Sequence, residues 1–95
     1  MKIARTIGTV TLSRSHPAMA SAQLRCVEVV EQIEDIDRQP LGGETIVAWD
    51  LCSTGLGDLV ALAEGPESSQ PFRPDVKPLD ASIVALLDQV DVDRT

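Results

Sequence analysis

Few side chains in this 95-residue sequence have the types and spacing that catalysis requires. His16 is the only histidine, and Pro17 beside it indicates a loop. A nucleophilic site needs a nucleophile, a base and a third group that orients the base, and no such set surrounds this imidazole in the sequence. The sequence therefore predicts no catalytic residue, and it predicts a surface position without a catalytic role for His16.

Cys26 and Cys52 are the only cysteines, and each lies in an apolar run that is typical of a strand. A zinc site usually combines four Cys or His ligands, often with two of them in a CxxC pair. Neither cysteine has such a partner, and His16 is the only imidazole in the chain. One disulfide remains open, although nothing in the sequence supports it. We predict two small buried thiols in a reducing cytoplasm, no metal and no cofactor.

The segment from Ser53 to Asp58 contains two hydroxyls, two glycines and a carboxylate. In aspartic proteases the aspartate directly precedes Thr-Gly, whereas here Asp50 is separated from Thr54 and Gly55. A phosphate-binding loop needs a longer glycine loop that ends in Lys and Ser or Thr, and Asp58 would repel a phosphate. We therefore interpret this segment as a tight turn whose glycines adopt backbone angles closed to other residues.

Two groups of carboxylates could suggest a calcium site, one between Glu34 and Asp37 and one between Asp88 and Asp93. A calcium loop needs oxygen ligands at fixed spacing around a turn-forming glycine. Neither group has that pattern, so we predict a solvated acidic surface at both places.

Five strand-like runs separated by turn residues position these side chains. The predicted strands are Lys2 to Leu12, about Ala22 to Ile33, Thr45 to Cys52, Leu59 to Ala63 and Ile83 to Val92. A helix is the rival interpretation of the second run, but its β-branched residues favour a strand. Within the first run the apolar positions change from odd to even numbers at Gly8, which predicts a bulge there.

The third predicted strand is apolar on both faces. Val47, Trp49 and Leu51 share one face, while Ile46 and Ala48 lie on the other. In so short a chain, a strand that is buried on both sides implies either a tightly closed barrel or a partner subunit.

The stretch from 64 to 80 has no strand pattern and contains four prolines, with a short helical turn predicted around Glu67 to Gln70. A proline-rich loop of this length usually has a function or covers a neighbouring element. Together these elements predict an all-β fold in one domain over residues 1–95: a small, closed, five-stranded β-barrel similar to the oligonucleotide-binding (OB) fold. Closure would remove exposed strand edges.

The composition disfavours nucleic acid and membranes as partners. The formal net charge is −7, and Trp49 and Phe72 are the only aromatic residues. An oligonucleotide-binding barrel needs a basic groove and aromatic platforms on which bases stack. No stretch approaches the ~20 apolar residues of a membrane helix, so we predict a soluble cytoplasmic protein. A barrel that binds an oligonucleotide or a small ligand is the alternative function, and scattered carboxylates are all that favour an enzyme.

Three segments, in this order and spacing, resemble the EutN/CcmL family of bacterial microcompartment shell vertex proteins. Met1 to Val10 is similar to the family's first strand, which ends in Gly-Thr-Val. Val47 to Val60 resembles the pattern Val-Ala-x-Asp, followed by a Gly-Ala-Gly-x-Gly-Glu turn and a short apolar strand. Pro78 to Asp88 resembles the ending Pro-x-Asp-Ala-x-Ile-Val before an aspartate. Ser53-Thr54-Gly55 departs from Gly-Ala-Gly, and Asp58 replaces the glutamate.

The resemblance implies a structural protein without enzymatic activity or a cofactor. Family members form cyclic homopentamers that plug five-fold vertices where sheets of hexameric shell proteins meet, in the shell of a cytoplasmic compartment. By carry-over from the family, one turn is expected near the subunit contacts or the central opening. Its residues are Ser53, Thr54, Gly55, Leu56, Gly57 and Asp58. Because every copy carries a net charge of −7, we expect such a ring to weaken at low salt.

Overall fold

The strands occupy the positions that the sequence pattern indicates. The structure, a computed structural model, describes residues 1–12, 14, 17–37, 43–74, 77, 79–88 and 90. The strands in these ranges are β1 (Lys2–Val10), β2 (Leu24–Val29), β3 (Thr45–Asp50), β4 (Leu59–Glu64) and β5 (Ala81–Leu87). Short 3₁₀ segments cover Pro17–Met19, Ile33–Asp35 and Gly65–Phe72. The last of these contains the predicted helical turn.

The strands close into a barrel in the order β1-β2-β3-β5-β4, with β4 returning to β1. All neighbouring pairs are antiparallel except β3 and β5, which run parallel. The prediction of a closed five-stranded barrel is confirmed. Closure gives every strand two neighbours, although β3 and β5 pair only through Trp49 with Ser82 and Asp50 with Ile83.

Several predicted strands were too long, and the structure shows why each one ends. β2 covers Leu24–Val29, because Val30 and the following 3₁₀ segment leave the ladder with β3. β3 ends at Asp50, because its carboxylate accepts hydrogen bonds from the backbone N–H groups of Cys52 and Thr54. β5 runs from Ala81 to Leu87 and stops opposite Leu59, the first residue of β4. Val90 is not in a strand, and the predicted end at Val92 lies outside the described residues.

The bulge predicted at Gly8 is confirmed. β1 pairs Thr6 with Val27 and then Gly8 with Cys26, so Ile7 is an extra residue without a partner on β2. Ile7 is 41% exposed. The inward-facing positions of β1 before the bulge hold only small side chains, Ala4 and Thr6, and both are buried.

The interior of the barrel is aliphatic and small. Its buried cluster consists of Ala4, Val27, Val29, Ala48, Val60, Leu62, Ala81 and Ile83. A narrow five-stranded barrel has room for little more than such side chains. Trp49 therefore lies outside the barrel, where its ring centroid is 4.7 Å from that of Phe72 and Lys77 lies over both rings.

The segment Gly65–Phe72, together with Lys77, covers this outer face of the barrel. Ser68 is buried, and its hydroxyl donates to the carbonyl oxygens of Gly65, at 2.6 Å, and Leu79, at 3.2 Å. Trp49 is only 7% exposed as a result. The proline-rich loop thus covers a neighbouring element, one of the two roles expected for it.

The predictions made for the two cysteines are confirmed in part. Cys26 and Cys52 are both free thiols, but they are half-buried rather than buried. β2 and β3 place Cys26 on the outer surface, whereas Cys52 lies just beyond β3 and packs against the edge of the core. His16 lies outside the described residues.

Among the described ranges, no three His, Cys, Asp or Glu side chains converge as metal ligands. A search of the same ranges also finds no helix with the length and hydropathy needed to span a bilayer.

Candidate functional site

The turn Ser53–Asp58 begins at a buried carboxylate. Asp50 ends β3, and its side chain is inaccessible to solvent. Its Oδ1 accepts a hydrogen bond from the backbone N–H of Cys52 at 2.9 Å. Its Oδ2 accepts from the backbone N–H of Thr54 at 2.8 Å and from the Thr54 hydroxyl at 3.1 Å. One carboxylate therefore folds the chain back immediately after the strand, as aspartate commonly does in turns.

Arg25 of β2 supplies the opposite charge. Its Nε lies 3.3 Å from Asp50 Oδ2 and donates to the carbonyl oxygen of Thr54 at 3.2 Å. Its Nη1 donates to the carbonyl oxygen of Leu24 at 3.3 Å. A buried carboxylate is costly unless it is paired and hydrogen-bonded, and here both conditions are met. The pair thus holds the start of the turn against β2.

A second aspartate closes the turn at its other end. Asp58 Oδ2 accepts from the backbone N–H of Gly55 at 2.7 Å, and the Asp58 N–H donates to the Gly55 carbonyl oxygen at 3.1 Å. Beyond the turn, Thr6 of β1 donates to Asp58 O at 2.9 Å and accepts from the Gly57 N–H at 2.8 Å. The end of the turn therefore continues the β1–β4 ladder and is fixed to the barrel wall.

The two glycines of the turn have different roles, so the prediction made for them is half right. Gly57 has φ of 87°, a left-handed conformation that favours glycine. Gly55 is not in that region, and a Cβ added there would lie 3.5 Å from Asp58 Oδ2, which is ordinary contact. Ser53 is left-handed instead, with φ of 52°. It occupies the place of the first glycine in the family's Gly-Ala-Gly pattern.

The turn presents an apolar side chain to solvent. Leu56, at its tip, is 78% exposed, whereas Thr54 is buried and hydrogen-bonded. Between the turn and β1 lies an open groove of about 360 Å³, lined by Thr6–Thr9, Arg25 and Thr54–Leu56. The Asp50 and Asp58 carboxylates hold backbone amides of the turn itself. This arrangement suits a rigid contact surface rather than a reacting centre.

The structure brings all six predicted site residues together in one ordered turn, but the sequence reasoning missed Arg25. A signal was present, because Arg25 alternates with Val27 and Val29 on the face of β2 that points into the barrel. An arginine on an inward face requires a buried acid nearby. Its partner, Asp50, could not be identified from spacing, because the two residues lie on different strands.

The rest of the outer surface carries further exposed apolar side chains. Val47 of β3 is 50% exposed, so the strand that the sequence predicted to be buried on both faces is covered on its outer face only at Trp49. Leu86 of β5 is 51% exposed. Apolar side chains at these positions are the kind that subunit contacts cover.

Known proteins share both the sequence pattern and the barrel. The family model described as "Ethanolamine utilisation protein EutN/carboxysome" matches residues 1–88. The bacterial microcompartment shell vertex protein EutN of Salmonella typhimurium is 28% identical over 90 residues, which are 95% of this chain and 86% of that protein. The carboxysome shell vertex protein CcmL of Gloeobacter violaceus is 29% identical over 94 residues, which are 99% of this chain and 89% of that protein.

A solved structure shows the same architecture. The pentameric shell protein of the RMM microcompartment superposes with a TM-score of 0.80 at 26% identity, and the match covers 100% of both chains. The similarity therefore extends over the whole barrel, including the Ser53–Asp58 turn.

Proposed function

Since the chain belongs to the EutN/CcmL family, we propose that it forms cyclic homopentamers that cap the five-fold vertices of a bacterial microcompartment shell. The observation that carries the proposal is the family match over residues 1–88. It is supported by relatives that are named shell vertex proteins and by a structural neighbour that is named a pentameric shell protein. In this proposal residues 1–95 form a single structural domain.

The physical features of the barrel agree with assembly into a ring. A ring is built from heterologous contacts, in which one surface patch fits a different patch on the next copy. The chain exposes apolar side chains on more than one element, among them Leu56, Val47 and Leu86. Burial of such side chains is needed to overcome the repulsion between copies that each carry a net charge of −7.

Within this proposal, the Ser53–Asp58 turn lies at the subunit contacts or around the central opening. Its hydrogen bonds to Asp50, Asp58 and Thr6 keep it rigid, and rigid surfaces lose little conformational entropy when they associate. The role is structural and not enzymatic, because the polar groups of the turn hold its own backbone. The partners are identical copies and hexameric shell proteins, and the site of action is the shell of a compartment in the cytoplasm.

The alternative, an OB-like barrel that binds an oligonucleotide or a small ligand, is less well supported. Bases would need exposed aromatic side chains on which to stack. Both aromatic residues of the chain are in contact with each other, and Trp49 is only 7% exposed.

Native mass spectrometry of the purified chain tests the proposal. We expect a species with five copies. Light scattering should show that the population of this species falls as the salt concentration is lowered, because acidic copies repel one another more strongly when screening is weak. A stable single chain, or a two-fold pair, at all salt concentrations would contradict it. Co-production with a hexameric shell protein should give closed shells, and omission of this chain should give shells without vertices.

A further inference from the structure

A continuous apolar band crosses the outer surface of the barrel. Gly8 of β1 pairs with Cys26 of β2, and Cys26 pairs with Val47 of β3, so the three residues form one row across three strands. Ile7 lies beside this row in the bulge, and Leu56 lies across the groove from Ile7. We call these residues the outer stripe: Leu56, Ile7, Gly8, Cys26 and Val47.

The outer stripe contains no charged residue, although 24% of the chain is charged. Glu28 lies two residues from Cys26 on the same outer face of β2, opposite Arg5 of β1. Most other described carboxylates lie where β2 and β4 end and β5 begins. These residues are Glu31, Glu34, Asp37, Glu44, Glu64, Glu67 and Asp80. Identical copies with a net charge of −7 can approach most closely where such groups are absent. The distribution of charge therefore favours a second copy as the occupant of the stripe.

The two ends of the stripe differ in shape. At one end, Leu56 and Ile7 flank the groove of about 360 Å³. At the other end, Val47 is 50% exposed on an otherwise continuous strand surface. Because the stripe follows the curved barrel wall across the turn, β1, β2 and β3, its ends face different directions. Two unlike ends that face different ways are what a closed ring of identical copies requires.

We infer that the outer stripe is the ring contact, with Val47 of one copy packed against the groove between Leu56 and Ile7 of the next. This inference rests on the proposed pentamer and assigns its interface. Cys26, at the middle of the stripe, is buried by the contact. Leu86, which is equally exposed but outside the stripe, is not part of it.

Three matched substitutions test the assignment. Leu56→Glu and Val47→Glu place a carboxylate on the stripe, and Leu86→Glu places one on a leucine that is 51% exposed elsewhere. In native mass spectra we expect the first two variants as single chains and Leu86→Glu as the same ring as the wild type. Near-ultraviolet circular dichroism of Trp49 establishes that each variant is folded.

The outcomes separate this inference from the proposed function. If the wild type forms a ring and Leu56→Glu and Val47→Glu keep it, or if only Leu86→Glu breaks it, the assigned interface is wrong but the proposed pentamer stands. Stripe variants that keep the ring and lose only the hexameric partner also overturn it. A wild-type chain that never forms a ring defeats the proposed function, and this inference with it.

A charge exchange tests whether the two ends meet. Leu56→Lys alone should dissociate the ring, as Val47→Glu does, and the double variant should recover five copies because each contact then joins a glutamate to a lysine. If both single variants dissociate and the double variant stays a single chain, Val47 does not face Leu56 and the assignment is wrong.

Alkylation of Cys26 provides a second measurement, which reports the burial of the stripe directly. In a Cys52→Ser background, a maleimide should modify Cys26 about tenfold more slowly in the ring than in the dissociated Leu56→Glu chain, since thiol reactivity depends on exposure. Equal rates would mean that Cys26 stays open to solvent in the ring and would overturn the inference.

Discussion

The Ser53–Asp58 turn and the 3₁₀ segment Gly65–Phe72 both connect strands at the barrel surface, but they are fixed in opposite ways. The turn is held by polar groups, with Asp50 and Arg25 beneath it, and it directs Leu56 toward solvent. The 3₁₀ segment directs Phe72 against Trp49 and buries Ser68. One connection covers the barrel, whereas the other leaves an apolar side chain uncovered. The difference agrees with the proposal that the turn, and not the 3₁₀ segment, contacts another copy.

The largest effect should come from removing the buried acid of the turn. Asp50→Ala removes the counter-charge of Arg25 and leaves two backbone donors without their acceptor, so we expect the free energy of unfolding to fall by about 3 kcal/mol. Urea unfolding at one fixed chain concentration measures this, because assembly also contributes to stability. Asp50→Asn keeps an acceptor and should lose less. Equal losses for both substitutions would mean that the charge, and not the hydrogen bonding, holds the turn.

The covering segment should be less sensitive, because its packing is partly exposed. Phe72→Ala removes the ring that packs on Trp49, and we expect a loss of about 2 kcal/mol together with a red shift of the Trp49 fluorescence as water reaches the indole. Phe72→Leu should retain most of the stability. An unshifted emission spectrum for Phe72→Ala would show that the segment covers Trp49 without that ring.

The glycines of the turn offer a matched pair with smaller effects. No heavy atom lies within 4 Å of a Cβ added at Gly57, so the cost of Gly57→Ala comes from its φ of 87° and should be about 1 kcal/mol. Gly55→Ala should be neutral or slightly stabilising, since this residue is not left-handed. Thermal unfolding of both variants distinguishes the two positions. A larger loss at Gly55 than at Gly57 would contradict this account.

The smallest effect should be a gain. Ser53 is a non-glycine residue with φ of 52°, so Ser53→Gly should relieve backbone strain and raise the free energy of unfolding by about 0.5 kcal/mol after the added entropy of the unfolded chain is counted. Denaturant midpoints of the two proteins, compared at equal chain concentration, provide the measurement. Destabilisation by Ser53→Gly would show that the serine side chain contributes more than its conformation costs.

The barrel itself could be predicted from the sequence, because its causes are local. Alternation and turn residues gave the five strands, and the change of phase at Gly8 gave the bulge. The strand ends were less accurate, because they depend on where a neighbouring strand stops. Leu87, for example, ends β5 because it lies opposite the first residue of β4.

The sequence predicted a turn at Ser53–Asp58, but it did not predict the ion pair beneath the turn or the backbone conformation within it. The contact between Arg25 and Asp50 depends on closure of the barrel, which no short stretch of sequence encodes. The left-handed backbone of Ser53 has no local signature, since serine is not a residue that usually adopts it. The exposure of Val47 also required the structure, because a strand that is apolar on both faces indicates burial without indicating what covers it.

The bulge in β1 has a consequence for how this barrel can change over time. Ile7 is the one residue of β1 that the ladder with β2 passes over, since Thr6 and Gly8 pair with consecutive residues. A descendant that lost this codon would keep each remaining side chain of the strand on its present side of the wall. Evolution can therefore shorten the strand here without inverting it, while the same deletion two residues later would turn Val10 inward.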